Sequence, residues 1–220
     1  MLEEEKVALL KRELIEYATL VEAMIEKSIK GLVNKERDVL IEVIEKDEPK
    51  SNNFEIKLDE LCTVVIAQYQ PKGKGLRTVL MVLKINNDLE RMADHAANIA
   101  ETALTLIEVP PMTEYMKDVL KMAEITRGML KDSIDSFVRE DSALAQDVCK
   151  RDDVVDDLRR GNRREIIGSM CAACSIMEVG LDILRIARNL ERIADLSTNI
   201  GEDVIFMVEG KVIKHKMDKM

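Results

Sequence analysis

Two stretches of this chain set carboxylates four residues apart, and the same set comes twice. The first is Leu83 to Glu101, LKINNDLERMADHAANIAE; the second is Leu184 to Glu202, LRIARNLERIADLSTNIGE. They align without a gap at an offset of 101 residues, with 10 of 19 positions identical. Among the identities are Glu90, Asp94, Asn98 and Glu101, with their partners Glu191, Asp195, Asn199 and Glu202. On a helix, at about 100° per residue, each set gathers in an arc roughly 80° wide. Beside the first arc, Leu89, Ala93, Ala96, Ala100, Ala103 and Ile107 form an apolar face. No Lys or Arg lies inside either stripe. Like charges four apart repel by a few tenths of a kcal/mol. One such stripe reads as a solvated face. Its repetition points instead to a cation held against each helix.

The chemistry on offer is oxygen ligation. Carboxylates and an amide suit hard or borderline cations such as Mg²⁺, Mn²⁺, Ca²⁺ or iron. A di-iron oxygenase would need Glu-x-x-His on its helices. Met92 precedes His95 by three and Val212 precedes His215 by three, so that pattern is absent. His95 also lies roughly 100° from Asp94 and reads as a partly exposed surface residue. There is no GxSxG and no P-loop, and Gly73-Lys-Gly75 reads as a turn. Arg159, Arg160, Arg163 and Arg164 are expected to make a salt-bridge lattice with Asp152, Asp153, Asp156 and Asp157.

These stripes need elements to position them. The chain has 220 residues, 46% hydrophobic, 3% aromatic and 34% charged, a composition suited to closely packed helices. The net charge of −9 argues against nucleic acid as a partner. It also argues against a polybasic membrane anchor. No apolar run approaches the ~20 residues of a membrane span, and the acidic N-terminus is unlike a signal peptide, so a cytoplasmic location is expected. A homodimer is compatible with the chain. Cys62, Cys149, Cys171 and Cys174 sit among apolar residues and read as buried thiols, although Cys171 and Cys174 form a CxxC.

Helical periodicity marks residues 2–33, a restart at Asn34 running to Lys46, a turn at Pro49–Asn53, then about 54–69 and 76–107. Pro110-Pro111 reads as a hinge. The second half repeats the order over about 113–138, a restart at Glu140-Asp141, 152–167 and 171–209. Gly210 reads as a stop before a basic tail. The expectation is an all-α chain of two tandem, pseudo-symmetric three-helix bundles, residues 1–109 and 110–210, with a tail over 211–220. Lys46 and Asp47 match Arg151 and Asp152 at an offset of 105, and Glu55 matches Asp156 at 101. The first half is therefore about a turn longer, around Pro49–Asn52. The middle helices add the pairs Glu55/Asp59 and Asp152/Asp156, with Asp153/Asp157 an open rival.

Two three-helix repeats, each ending in Leu-Glu-Arg-[Met/Ile]-Ala-Asp-x-x-x-Asn-Ile, resemble the PhoU family. The resemblance spans almost the whole chain. It implies a spectrin-like helical repeat and a non-enzymatic cytoplasmic adaptor. Such an adaptor negatively regulates phosphate uptake and the phosphate-starvation response. The implied partners are the ATPase subunit of a phosphate ABC transporter and a phosphate-sensing histidine kinase. The implied cofactor is metal in multinuclear clusters, iron foremost, with zinc, manganese or magnesium as further candidates. The implied ligands are Glu90/Asp94 and Glu191/Asp195, with Asn98, Glu101, Asn199 and Glu202 beside them. Glu55/Asp59 and Asp152/Asp156 are their mates. A metal-dependent hydrolase using an open position on the cluster is the alternative, and a helical scaffold that binds nothing is the third reading.

Overall fold

A computed structural model describes residues 2–109 and 113–209. Pro110-Pro111, Gly210, His215 and the 211–220 tail lie outside the described residues. Among the described residues there is no strand, and the chain is all-α. Helix α1 (Leu2–Asn34) is followed by α2 (Arg37–Glu42). A π-helical turn, Val43–Asp47, joins α2 to α3 (Glu48–Val64). A second π turn, Val65–Tyr69, leads towards α4 (Lys74–Leu106). Then come α5 (Thr113–Arg139), α6 (Ser142–Ala172), a 3₁₀ turn at Cys174–Ile176 and α7 (Met177–Glu209).

The breaks have local causes. Lys35 and Glu140, just past α1 and α5, take φ of 57°, and Gln70 takes φ 45° ahead of Pro71. Such left-handed residues end helices by letting the chain double back. Asp141 then caps α6, its carboxylate accepting from the amides of Ala143 and Leu144 at 3.0 Å each. The expected turn at Pro49–Asn53 is absent. Proline has no amide to donate and its ring crowds the carbonyl four residues back. The wider π turn immediately before Pro49 relieves both problems, so the helical run continues through it. α6 likewise continues past the expected end near residue 167 and runs to Ala172.

α1, α2–α3 and α4 form one bundle and α5, α6 and α7 the other; α4 packs on α7, and α1 on α5. α4 and α7 run antiparallel. Lys84 Nζ donates to Asp203 at 2.8 Å, His95 Nδ1 meets Asn189 Oδ1 at 2.9 Å, and Thr105 Oγ1 donates to Asp182 at 3.0 Å. Buried Ala93, Ala96, Ala97, Ala100 and Ala103 on α4, and Ala187, Ala194 and Gly201 on α7, are small residues that let the surrounding helices approach these two closely. Ser28 Oγ, on α1, lies 2.9 Å from Ala96 O and ties α1 to that alanine face. Tyr17 of α1 stacks on Phe54 of α3 with ring centroids 5.4 Å apart. α3 and α6 are thereby left as the outer helices, each lying along a stripe-bearing helix.

The cysteine expectation is corrected in part. Cys62 is buried and Cys149 half-buried, but Cys171 and Cys174 are exposed because α6 ends between them. His95 is half-buried against Asn189 at the α4–α7 contact, and burial lowers its pKa.

Candidate metal site

In the first bundle the α4 stripe faces α3. Glu90 is half-buried and sits near Glu55; Asp94 and Glu101 are exposed and sit near Glu48. Burial first, then Asp94 and Glu55, pushes the Glu90 carboxyl above its ordinary pKa. Burial, with Asp94 and Glu101, does the same to Glu48. The Tyr17 hydroxyl donates to or accepts from Ser51 at 2.8 Å, and its burial beside Glu55, Glu90 and Asp94 raises its pKa. Asn98 is exposed and donates its amide to Asp94 O at 2.8 Å, leaving its oxygen for a ligand.

Asn86 extends this site towards α3. It is 1% exposed and donates to Glu55 O at 3.0 Å and to Asp59 Oδ1 at 2.9 Å. Its own oxygen is buried without a hydrogen-bond partner. Among the described residues no Lys or Arg pairs with Glu48, Glu55, Glu90, Asp94 or Glu101. Arg91 turns to Asp88 instead, at 3.8 Å. An all-oxygen donor set with an orphaned buried amide oxygen fits a hard or borderline cation. Among the described residues, no three carboxylate, imidazole or thiolate groups already converge to coordination distance.

The second bundle is built differently. Arg159 of α6 reaches Glu191 at 3.0 Å. Burial raises the pKa of Glu191, which Arg159 opposes and Asp195 reinforces. Asp195 is raised by burial, against Arg192 at 3.4 Å and with Asp156. Asp156 is half-buried near Asp195, and Asp157 is exposed. Arg160 reaches Asp156, at 3.3 Å, as well as Asp157, so both carboxylates of α6 share that guanidinium. Asp152 and Glu202 flank Cys149, whose thiol burial raises to a pKa of about 11. Asn199 opens onto a groove between α4 and α7, beside Lys84, Asp88 and Asp203.

The repeat register explains the asymmetry. Buried Leu40 and Val43 match buried Ala145 and Val148 at an offset of 105. Past the π turn, buried Ser51, Leu58 and Cys62 match buried Val155, Asn162 and Ile166 at 104. The stripes match at 101. The first bundle's four extra residues are thus one at Val43–Asp47 and three between Cys62 and α4, not four at Pro49–Asn52. In this register Glu48 is the counterpart of Asp152, Asn52 of Asp156, and Glu55 of Arg159. Glu48 and Asn86 escaped sequence reasoning; a one-residue helical insertion leaves no signature except the buried pattern on either side of it.

This is a duplicated helical-bundle protein with an acid-lined seam in each half. A family model described as PhoU domain matches residues 14–103 and again 119–204. The chain belongs to the PhoU family. It is 36% identical over 206 residues to the phosphate-specific transport system accessory protein PhoU homolog of Aquifex aeolicus, covering 94% of this chain and 92% of the relative. It is 32% identical to PhoU homolog 1 of Thermotoga maritima, covering 96% of this chain and 90% of the relative. The crystal structure of PhoU from Pseudomonas aeruginosa superposes with a TM-score of 0.90 at 27% identity, over 94% of this chain and 99% of that one. These relatives are named as accessory proteins of phosphate transport. Among the described residues no helix is long and apolar enough to cross a membrane.

Proposed function

We propose that the chain is a cytoplasmic, metal-binding adaptor that lowers phosphate uptake and represses the phosphate-starvation response. Its contacts are the ATPase subunit of a phosphate ABC transporter and a phosphate-sensing histidine kinase. The reading draws on the PhoU relatives and on one feature of the chain itself. Six carboxylates, Glu48, Glu55, Asp59, Glu90, Asp94 and Glu101, line one seam of the first bundle without a cationic partner for Glu48, Glu55, Glu90, Asp94 or Glu101. A cation at this seam would remove their mutual repulsion and clamp α3 to α4, and the Asn86 oxygen would join the carboxylates around it. Binding to the folded state alone would stabilise the bundle by linkage. Iron is the leading candidate, and zinc, manganese or magnesium suit the same oxygens.

Elemental analysis of purified protein, repeated after Asp94→Ala and Asp195→Ala, tests the ligand assignment. Metal should fall in both variants; unchanged content in both would end it. Phosphate uptake by cells lacking their own regulator tests the adaptor role. The chain should lower uptake, and Asp94→Ala should not. Equal uptake with and without the chain would count against the adaptor.

A further inference from the structure

Where the first bundle concentrates carboxylates, the second concentrates arginines. A pocket of about 290 Å³ opens between α6 and α7, lined by Arg159, Arg163, Arg188, Leu184 and Ala187. In the repeat register these five stand where the first bundle has Glu55, Asp59, Asn87, Leu83 and Asn86. The floor is kept apolar at Leu184 while the walls change sign. Ala187 in place of Asn86 also removes an amide, and so leaves room. Arg159 is fixed by Glu191 at 3.0 Å. Among the described residues Arg163 and Arg188 make no ion pair or hydrogen bond.

We propose that this pocket binds a tetrahedral oxyanion of the phosphate class. A guanidinium is planar, always charged, and presents paired N–H donors that match two oxygens of a phosphate. Arg159, held at one end by Glu191, aims a positioned fork, and the two unpaired arginines close on the remaining oxygens. Half-buried Leu184 and buried Ala187 leave one side of the pocket apolar, so the anion's polar contacts fall to the arginines. With Arg159 paired to Glu191, Arg163 and Arg188 leave two positive charges, which suit a dianion, whereas a monovalent anion would leave charge uncompensated. The site rests on the arginines and the pocket, independently of the metal reading.

The test is calorimetric titration of the full chain after chelator treatment, at constant ionic strength, with inorganic phosphate and separately with phosphoserine. The expected result is saturable binding of at least one. Arg163→Gln/Arg188→Gln should weaken it roughly tenfold or more, and Glu55→Gln/Asp59→Asn should leave it unchanged. Arg163→Lys/Arg188→Lys keeps the charge but loses the fork, and should bind phosphate more weakly than the parent. Binding of phosphoserine alone would assign the pocket to a phosphoryl group carried on a larger molecule; binding of free phosphate would assign it to the ion. The proposal is overturned by no saturation with either, by undiminished binding in the glutamine variant, or by equal competition from chloride. Both substituted arginines are exposed, and a thermal melt confirms that each variant is folded. Because no metal is present, failure here leaves the metal reading standing.

Discussion

A single exchange separates the two seams at the level of side chains. Glu55 and Glu90 repel in the first bundle, and at their counterparts Arg159 and Glu191 attract at 3.0 Å. The first seam therefore destabilises the metal-free fold. Glu90→Gln removes the repulsion from Asp94 and Glu55, and should raise stability in chelator by about half a kcal/mol. On the metal reading, the same change should lower stability when metal is supplied, because a proposed ligand is lost. Melting with and without metal checks the crossover. The pH dependence follows from the same groups. Carboxyls whose folded pKa is raised, as for Glu48, Glu90, Glu191 and Asp195, contribute stability that is complete below the unfolded pKa and lost as pH rises through the folded one. These groups alone should make the metal-free protein more stable as pH falls from 7 towards about 4.5. Further acidification protonates Glu42, whose carboxyl Lys27 holds below the ordinary range at 2.6 Å, and the trend reverses. A flat chelator-treated melting curve between pH 7 and 4.5 would contradict this account.

At the scale of helices, close approach decides what a glycine does. An added Cβ at Gly201 on α7 would stand 3.0 Å from Ala145 O and 3.2 Å from Cys149 Sγ on α6. At Gly161 on α6 it would meet nothing within 4 Å. Gly161→Ala should therefore stabilise by about 1 kcal/mol through helix propensity. Gly201→Ala should destabilise by about 1 kcal/mol or more, since a backbone oxygen cannot move aside as a flexible side chain can. Paired denaturation curves would show the opposite signs. The helix ends also decide which thiols react. Cys171 and Cys174 flank the end of α6 and are exposed, so two thiols should label quickly in the native protein. Cys62 is buried and its thiol is pushed up to about 12, so it should label only on unfolding. The periodicity of α1, α4, α5 and α7 is readable in the sequence because each buries one continuous apolar face. The run from Arg37 to Tyr69 is less readable. Pro49 looks like a terminator when it is read without the π turn that accommodates it, and that misreading matched Glu55 with Asp156 where the buried pattern matches it with Arg159.

The whole molecule is a pseudo-symmetric pair whose symmetry is kept in the core and broken in the seams. Its plan was legible because the stripe helices repeat by identity: Leu89 and Leu190, and Ala93 and Ala194, are buried in both halves. The difference between halves was not, because it depends on contacts between helices that align at different offsets. Arg159 looks like a member of a solvated lattice along α6 until α7 is packed against it. The consequence concerns stoichiometry. On the metal reading, a cation in the first bundle would meet carboxylates that make no ion pair with Lys or Arg among the described residues, and in the second it would compete with a guanidinium already bonded to Glu191. The first bundle would hold more metal, or hold it more tightly. Asp94→Ala should then remove a larger share of bound metal than Asp195→Ala. Arg159→Gln should raise the share lost on Asp195→Ala, because Glu191 is freed for ligation. Elemental analysis of these variants and the Arg159→Gln/Asp195→Ala double variant decides the matter. Equal losses at both sites, with Arg159→Gln changing nothing, would mean that the ion pair yields to metal without measurable competition.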